Sequence, residues 1–133
     1  AVQCAAACHR RFAEYFKGAR GHFSVVPRDV GLGIGIDYGV CSRVIIAQEL
    51  TVVGRPVVYA CRLASAPAGV TLVNHPCFEL VSEKYGPSLR FEERDFEAKH
   101  EGAILAYELK SAKVQGELAA PGYVSDQWVA GSR

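Results

Sequence analysis

The stretch "ELTVVGRPVVYACRLASAPAG", Glu49 to Gly69, carries the reading of the fold. Leu50 to Val53 have strand character, Gly54 turns the chain, and Pro56 opens a helix, since a proline in the first turn lacks only an N–H that has no intrahelical acceptor. The helix, expected to run to about Ala66, is nearly all apolar except for Arg55, Tyr59 and Arg62. Its arginines either lay aliphatic stems over apolar neighbours or face an anion. "PAG" then turns the chain into a short strand, Val70 to Val73.

Upstream lies "VGLGIGIDYG", Val30 to Gly39, a strict alternation. Leu32, Ile34, Ile36 and Tyr38 fall on one face of a strand, and Gly31, Gly33, Gly35 and Asp37 on the other. A face stripped of side chains predicts that another backbone packs very closely on it. The glycines do not make a G-x-G-x-x-G dinucleotide fingerprint, which also needs a helix directly after the strand. A second strand, Arg43 to Ala47, is expected to return beside this one. Residues 2–18 read as an amphipathic helix with Ala5, Cys8, Phe12, Tyr15 and Phe16 at helical spacing. Asn74 can cap a further helix from His75 to Tyr85 with Pro76 in its first turn. Strands are expected at 88–96 and at 103–109, the latter apolar enough to be internal. From Ser111 the periodicity fades, and 111–133 reads as a tail or docking strand carrying the lone Trp128.

The 133 residues fit one domain, and a 50% hydrophobic content fills a core. Fifteen Lys and Arg against fourteen Asp and Glu give no bulk electrostatic case for nucleic acid or an anionic membrane surface, so any anion must be bound locally. The cysteines, at 4, 8, 41, 61 and 77, are odd in number and contain no C-x-x-C, which predicts free thiols in a reducing compartment, the cytoplasm. Cys4 and Cys8 share a helix face and suit burial as small apolar groups. No apolar run reaches the length of a membrane span. The histidines at 9, 22, 75 and 100 show no zinc-site spacing. The absence of methionine and a start within a helix predict a piece of a longer protein.

"GIGIDYG", "ELTVVGRPVVYACRL" and "APAGVTLVN", in that order, resemble the C-terminal half of class III adenylyl and guanylyl cyclase domains. The resemblance covers about 1–109 and is strongest from Gly33 to Val73. It implies an α+β, ferredoxin-like sandwich with helices on an antiparallel-containing sheet, its N-terminal strands lying outside this chain. Residues 1–110 would form a partial cyclase-homology domain. The implied reaction is cyclisation of ATP or GTP to a 3′,5′-cyclic nucleotide with release of pyrophosphate.

By the same resemblance, Thr51 falls where the family reads the purine edge, and Arg62 where an arginine stabilises charge on the α-phosphate, a role suited to its planar, permanently charged fork. Arg55 lies close enough in angle to add positive potential to the same cleft. Val58, one turn before Arg62, stands where the family has an asparagine, and valine offers no hydrogen bond to the ribose. Lys99 is the nearest candidate for the family's phosphate-binding lysine, though His100 replaces the usual glycine after it. The family's divalent metal, Mg or Mn, is implied, but its two aspartates would lie upstream and no metal ligand is assigned here. Sites in the family form between two such domains, which implies a homodimer or a homologous partner. The span from Gly39 to Thr51 is shorter than the family's arm. Two other classes stay open on the residues alone: a non-catalytic cyclase-homology module for dimerisation or regulation, and an unrelated α+β binding domain.

Overall fold

The computed structural model describes residues 1–98, 102–114 and 117–119. Helix α1 (Val2–Ala19) is followed by a short 3-10 turn, Arg20–His22, and by β1 (Ile34–Ile36). Strands β2 (Ser42–Ile46) and β3 (Glu49–Val53) lead into α2 (Arg55–Leu63), then β4 (Thr71–Val73) and α3 (His75–Tyr85). The chain continues through β5 (Leu89–Ala98), β6 (Gly102–Val114) and β7 (Glu117–Ala119). The main sheet has the order β1-β4-β6-β5, with β7 on β6. Strands β1 and β4 are parallel, with Ile34 opposite Thr71 and Ile36 opposite Val73, while β6 is antiparallel to both β4 and β5. The 103–109 strand is internal, as its apolar character predicts, and runs on to Val114.

Two cores follow from strand alternation. On β6, Tyr107 and Leu109 face a cluster with Val2 and Ala6 of α1 and Cys77 of α3. Ala106 points the other way, joining Leu63 of α2 and Leu72 of β4. Helices α1 and α3 therefore cover one face of the sheet, and α2 the other. All three residues of β4 have no exposed surface, since both of its faces are covered.

The glycine face of β1 receives α2, as the alternation predicts. A Cβ on Gly35 would lie 2.2 Å from the Ala60 carbonyl oxygen and 2.4 Å from the Ala64 nitrogen. One on Gly33 would lie 2.3 Å from the Ala66 carbonyl oxygen. Backbone thus meets backbone with no side chain between them.

The second strand does not return beside the first. Strand β2 pairs with β3 in a separate antiparallel ribbon, joined by a two-residue turn in which Ala47 (φ 50°) and Gln48 (φ 68°) are both left-handed. A two-residue loop brings its own flanking strands together, and the place beside β1 is taken by β4. The strand expected over 30–39 is correspondingly short, because only Ile34–Ile36 meet the three residues of β4.

The buried stripe of α1 is Val2, Ala5, Ala6 and His9, whereas Cys4, Cys8 and Tyr15 are exposed. The expectation that Cys4 and Cys8 are buried is corrected. Small residues let α1 lie close to the sheet, and this rotates both thiols outward. The four-residue turn from Ala5 delivers His9 to the interior, where it is 1% exposed and its Nε2 lies 2.8 Å from Thr71 Oγ1. Burial alone pulls the His9 pKa below the ordinary imidazole value of 6.5. The unfolded chain therefore takes up this proton first, so the contribution of neutral His9 is whole above about pH 6.5 and fades as pH falls through its folded pKa. Chemical denaturation at pH 7, 6 and 5 should show stability falling with acid in the native chain and a flatter profile in His9→Gln.

Candidate functional site

The parallel strands β1 and β4 end side by side, and α2 and α3 both begin at that edge. Asn74 ties the ends together. Its Oδ1 accepts from Tyr38 N–H at 3.0 Å and from Cys77 N–H at 3.0 Å, the second bond capping α3, while its Nδ2 donates to the Tyr38 carbonyl at 3.1 Å. The sequence-predicted cap is therefore also a clamp across two strand ends.

A cleft of about 490 Å³ opens there, lined by Asp37, Tyr38, Gly39, Val40, Arg55, Pro56, Tyr59, Leu63, Asn74, Pro76, Ile104 and Leu105. Clefts at the carboxyl ends of parallel strands, beside helix N-termini, commonly take ligands. Burial pushes the Asp37 carboxyl above its usual range, opposed by the Arg55 charge and a hydrogen bond involving Asn74.

On α2, Leu63 is buried and the helix backbone lies against Gly35; Arg55 and Tyr59 face the cleft, Val58 is half-exposed, and Arg62 is half-buried with its Nη1 enclosed. Arg55 Nη2 donates to the Tyr59 hydroxyl at 3.3 Å. The guanidinium carbons of Arg55 and Arg62 lie 5.2 Å and 5.4 Å from the centroid of the Tyr59 ring. One aromatic ring thus orients two cations by cation–π attraction. Tyr59 is visible in the sequence as a polar-tipped residue between the arginines; its i,i+4 and i,i+3 spacing to them is the signal for this role. Asp37 carries no such signal, since nothing in the strand pattern shows where its end meets α2.

Of the residues singled out by sequence, Arg55 lines the cleft, whereas Thr51, Val58 and Arg62 do not. Val58 is 49% exposed, whereas Arg62, one turn on, is half-buried and its Nη1 has no exposed surface. Thr51 is half-buried in β3, paired with Val44 on the separate ribbon. Lys99 and Trp128 lie outside the described residues. Among the described residues there is no group of three or more His, Cys, Asp or Glu that could hold a metal ion, and no helix long and apolar enough to cross a membrane.

The architecture is a mixed α+β sheet with helices on both faces, and its fold is like that of a solved adenylyl cyclase. The particular likeness is to the crystal structure of the adenylyl cyclase CyaB from P. aeruginosa, with a TM-score of 0.68 at 21% sequence identity over 85% of this chain. The match spans 58% of that protein's chain. No protein-family profile matches the chain, and none of the curated proteins does.

Proposed function

We propose that this chain is the C-terminal portion of a class III nucleotidyl cyclase domain, of ferredoxin-like type, that binds a cytoplasmic nucleoside triphosphate and, in the complete protein, cyclises ATP or GTP. The observation that carries this reading is the basic cluster on α2, where Arg62 and Arg55 are held against Tyr59 in a cyclase-like fold. Arg62 stabilises charge building on the α-phosphate, which its fork can hold through two oxygens. Thr51 reads the purine edge, Arg55 adds positive potential, and Lys99 contacts phosphate. The implied Mg or Mn does not fit the donors of this chain, because among the described residues Asp37 is the one carboxylate lining the cleft and has no second acid beside it there.

The partner in this reading is a second copy or a homologous domain. The β2–β3 ribbon supports it, since Ile45 (75%), Leu50 (68%) and Ile46 (59%) are exposed on a two-stranded element that the main sheet does not cover. A second reading, a non-catalytic dimerisation or regulatory module, is favoured by Val58 in place of the family's asparagine.

Substitutions on α2 of the complete protein separate the two. Arg62→Ala removes a charge-assisted contact and should weaken triphosphate turnover by about tenfold or more. Because Val58 is half-exposed, Val58→Asn strands no buried amide and should leave the melting temperature unchanged while raising turnover. Cyclic nucleotide production, with melting as the folding control, checks both. Absence of product from native protein and both variants, with triphosphate affinity unmoved by Arg62→Ala, would leave the regulatory module standing.

A further inference from the structure

Helix α1 carries two thiols on a side that neither the core nor the cleft uses. Cys4 and Cys8 are one helical turn apart and both are exposed, while Val2, Ala5, Ala6 and His9 fill the buried side. The Cys8 thiol lies within hydrogen-bonding reach of Cys4. The helix that presents the pair is held in place. Val2 and Ala6 pack into the core with Tyr107 and Leu109, and His9 Nε2 meets Thr71 Oγ1 at 2.8 Å. The remaining cysteines sit on other elements. Cys77 belongs to the core beneath α1, Cys61 lies on α2 across the sheet, and Cys41 precedes the separate β2–β3 ribbon.

We propose that Cys4 and Cys8 form a two-coordinate site for a soft monovalent cation, copper(I), held between the two sulfurs. One turn of helix separates Cβ atoms by about 5–6 Å, whereas a disulfide needs them about 3.5–4.5 Å apart. The spacing therefore suits two sulfurs with an ion between them better than a direct sulfur–sulfur bond, which would compress the turn. Thiolates select soft ions, copper(I) among them. Structural zinc takes four ligands, and among the described residues no group of three or more His, Cys, Asp or Glu could hold a metal ion. Magnesium and calcium take oxygen ligands. Binding exchanges two S–H protons for one copper(I), so two protons leave to solvent and the loaded site carries one negative charge. Desolvation, then the contact with Cys4, holds the Cys8 thiol above its ordinary pKa, so at neutral pH copper displaces a proton there and binding tightens as pH rises. The inference does not depend on the cyclase reading.

The test is anaerobic titration of the chain with copper(I) against bicinchoninate, a coloured chelator that competes for the ion. The native chain should take up one copper per chain, more tightly at pH 8 than at pH 6. Cys4→Ser and Cys8→Ser should each weaken binding by about a hundredfold, because the second sulfur acts as an intramolecular ligand. Cys41→Ser and Cys61→Ser, which remove the other exposed thiols, should bind as the native chain does. Cys8→Ser combined with Arg11→Cys keeps five cysteines but sets the two thiols of α1 about 10 Å apart along the helix, and it should not restore binding. Circular dichroism should show every variant folded. Copper held equally well by Cys4→Ser or by the variant with widely spaced thiols, one copper per two chains, or no copper taken from the chelator by the native chain would overturn the proposal.

Discussion

Gly35→Ala should lower the melting temperature by roughly 10 °C, the shift that about 3 kcal/mol produces in a domain of this size. The added methyl has no side chain to push aside, because the atoms within 2.7 Å of it are the Ala60 carbonyl oxygen, the Ala64 nitrogen and the Leu63 carbonyl carbon, all backbone of α2 and its cap. Accommodating it means moving the helix off the sheet, which loosens Leu63 from Leu72 and Ala106. The loss of chain entropy on replacing glycine works in the opposite direction but is smaller, at about 0.4–1 kcal/mol. Gly18→Ala is the internal control. It sits in α1 with nothing within 4 Å of the methyl that the substitution adds, so helix propensity should stabilise it by up to about 1 kcal/mol. Thermal unfolding of the two variants should therefore shift in opposite directions. Equal melting temperatures would show that α2 does not approach β1 this closely. In the complete protein Gly35→Ala should also lower any activity that depends on Arg62, since the helix that carries it is displaced.

Asn74→Ala should cost about 2 kcal/mol, from a lost helix cap and the loss of the two bonds to the Tyr38 backbone. Tyr38 is 54% exposed, so water can replace part of what it loses, which keeps the expected cost below that of an orphaned buried pair. Asn74→Ser separates the two roles: a serine hydroxyl can still cap α3 but reaches less far toward Tyr38, so roughly half of the stability should return. Denaturant unfolding of the native chain and both variants gives the comparison. A serine variant as unstable as the alanine variant would assign the effect to the strand clamp, and one as stable as native would assign it to the cap. Hydrogen exchange at Tyr38 N–H should rise in both variants.

How much of this was legible in the sequence depended on the range of the interaction. Helix α3 and its Asn74 cap, Pro56 in the first turn of α2 and the internal character of β6 were readable, because they rest on neighbours within a turn or on unbroken apolar runs. The alternation Gly31, Gly33, Gly35 also announced a close-packed face, although not which element would occupy it. In the candidate site, Arg55 and Arg62 were readable as the polar residues of an apolar helix. The position of Asp37 beside the start of α2 was not, since it follows from packing between segments far apart in sequence.

By itself the sequence determined the local periodicities, and with them the strands and helices of an α+β chain, the glycine-lined strand and a basic side on α2. Local spacing is enough for these, because backbone period and capping act over a few residues. Only the tertiary structure decided the pairings. It placed β2 with β3 rather than with β1, because a two-residue turn closes locally while the edge of β1 goes to β4. It turned Cys4 and Cys8 outward and His9 inward, because the small residues Val2, Ala5 and Ala6 set which side of α1 meets the sheet. It left Val58 half-exposed on the side of α2 away from the glycines, because packing of backbone on backbone fixes the helix's rotation, and rotation is a property that no spacing within the helix contains.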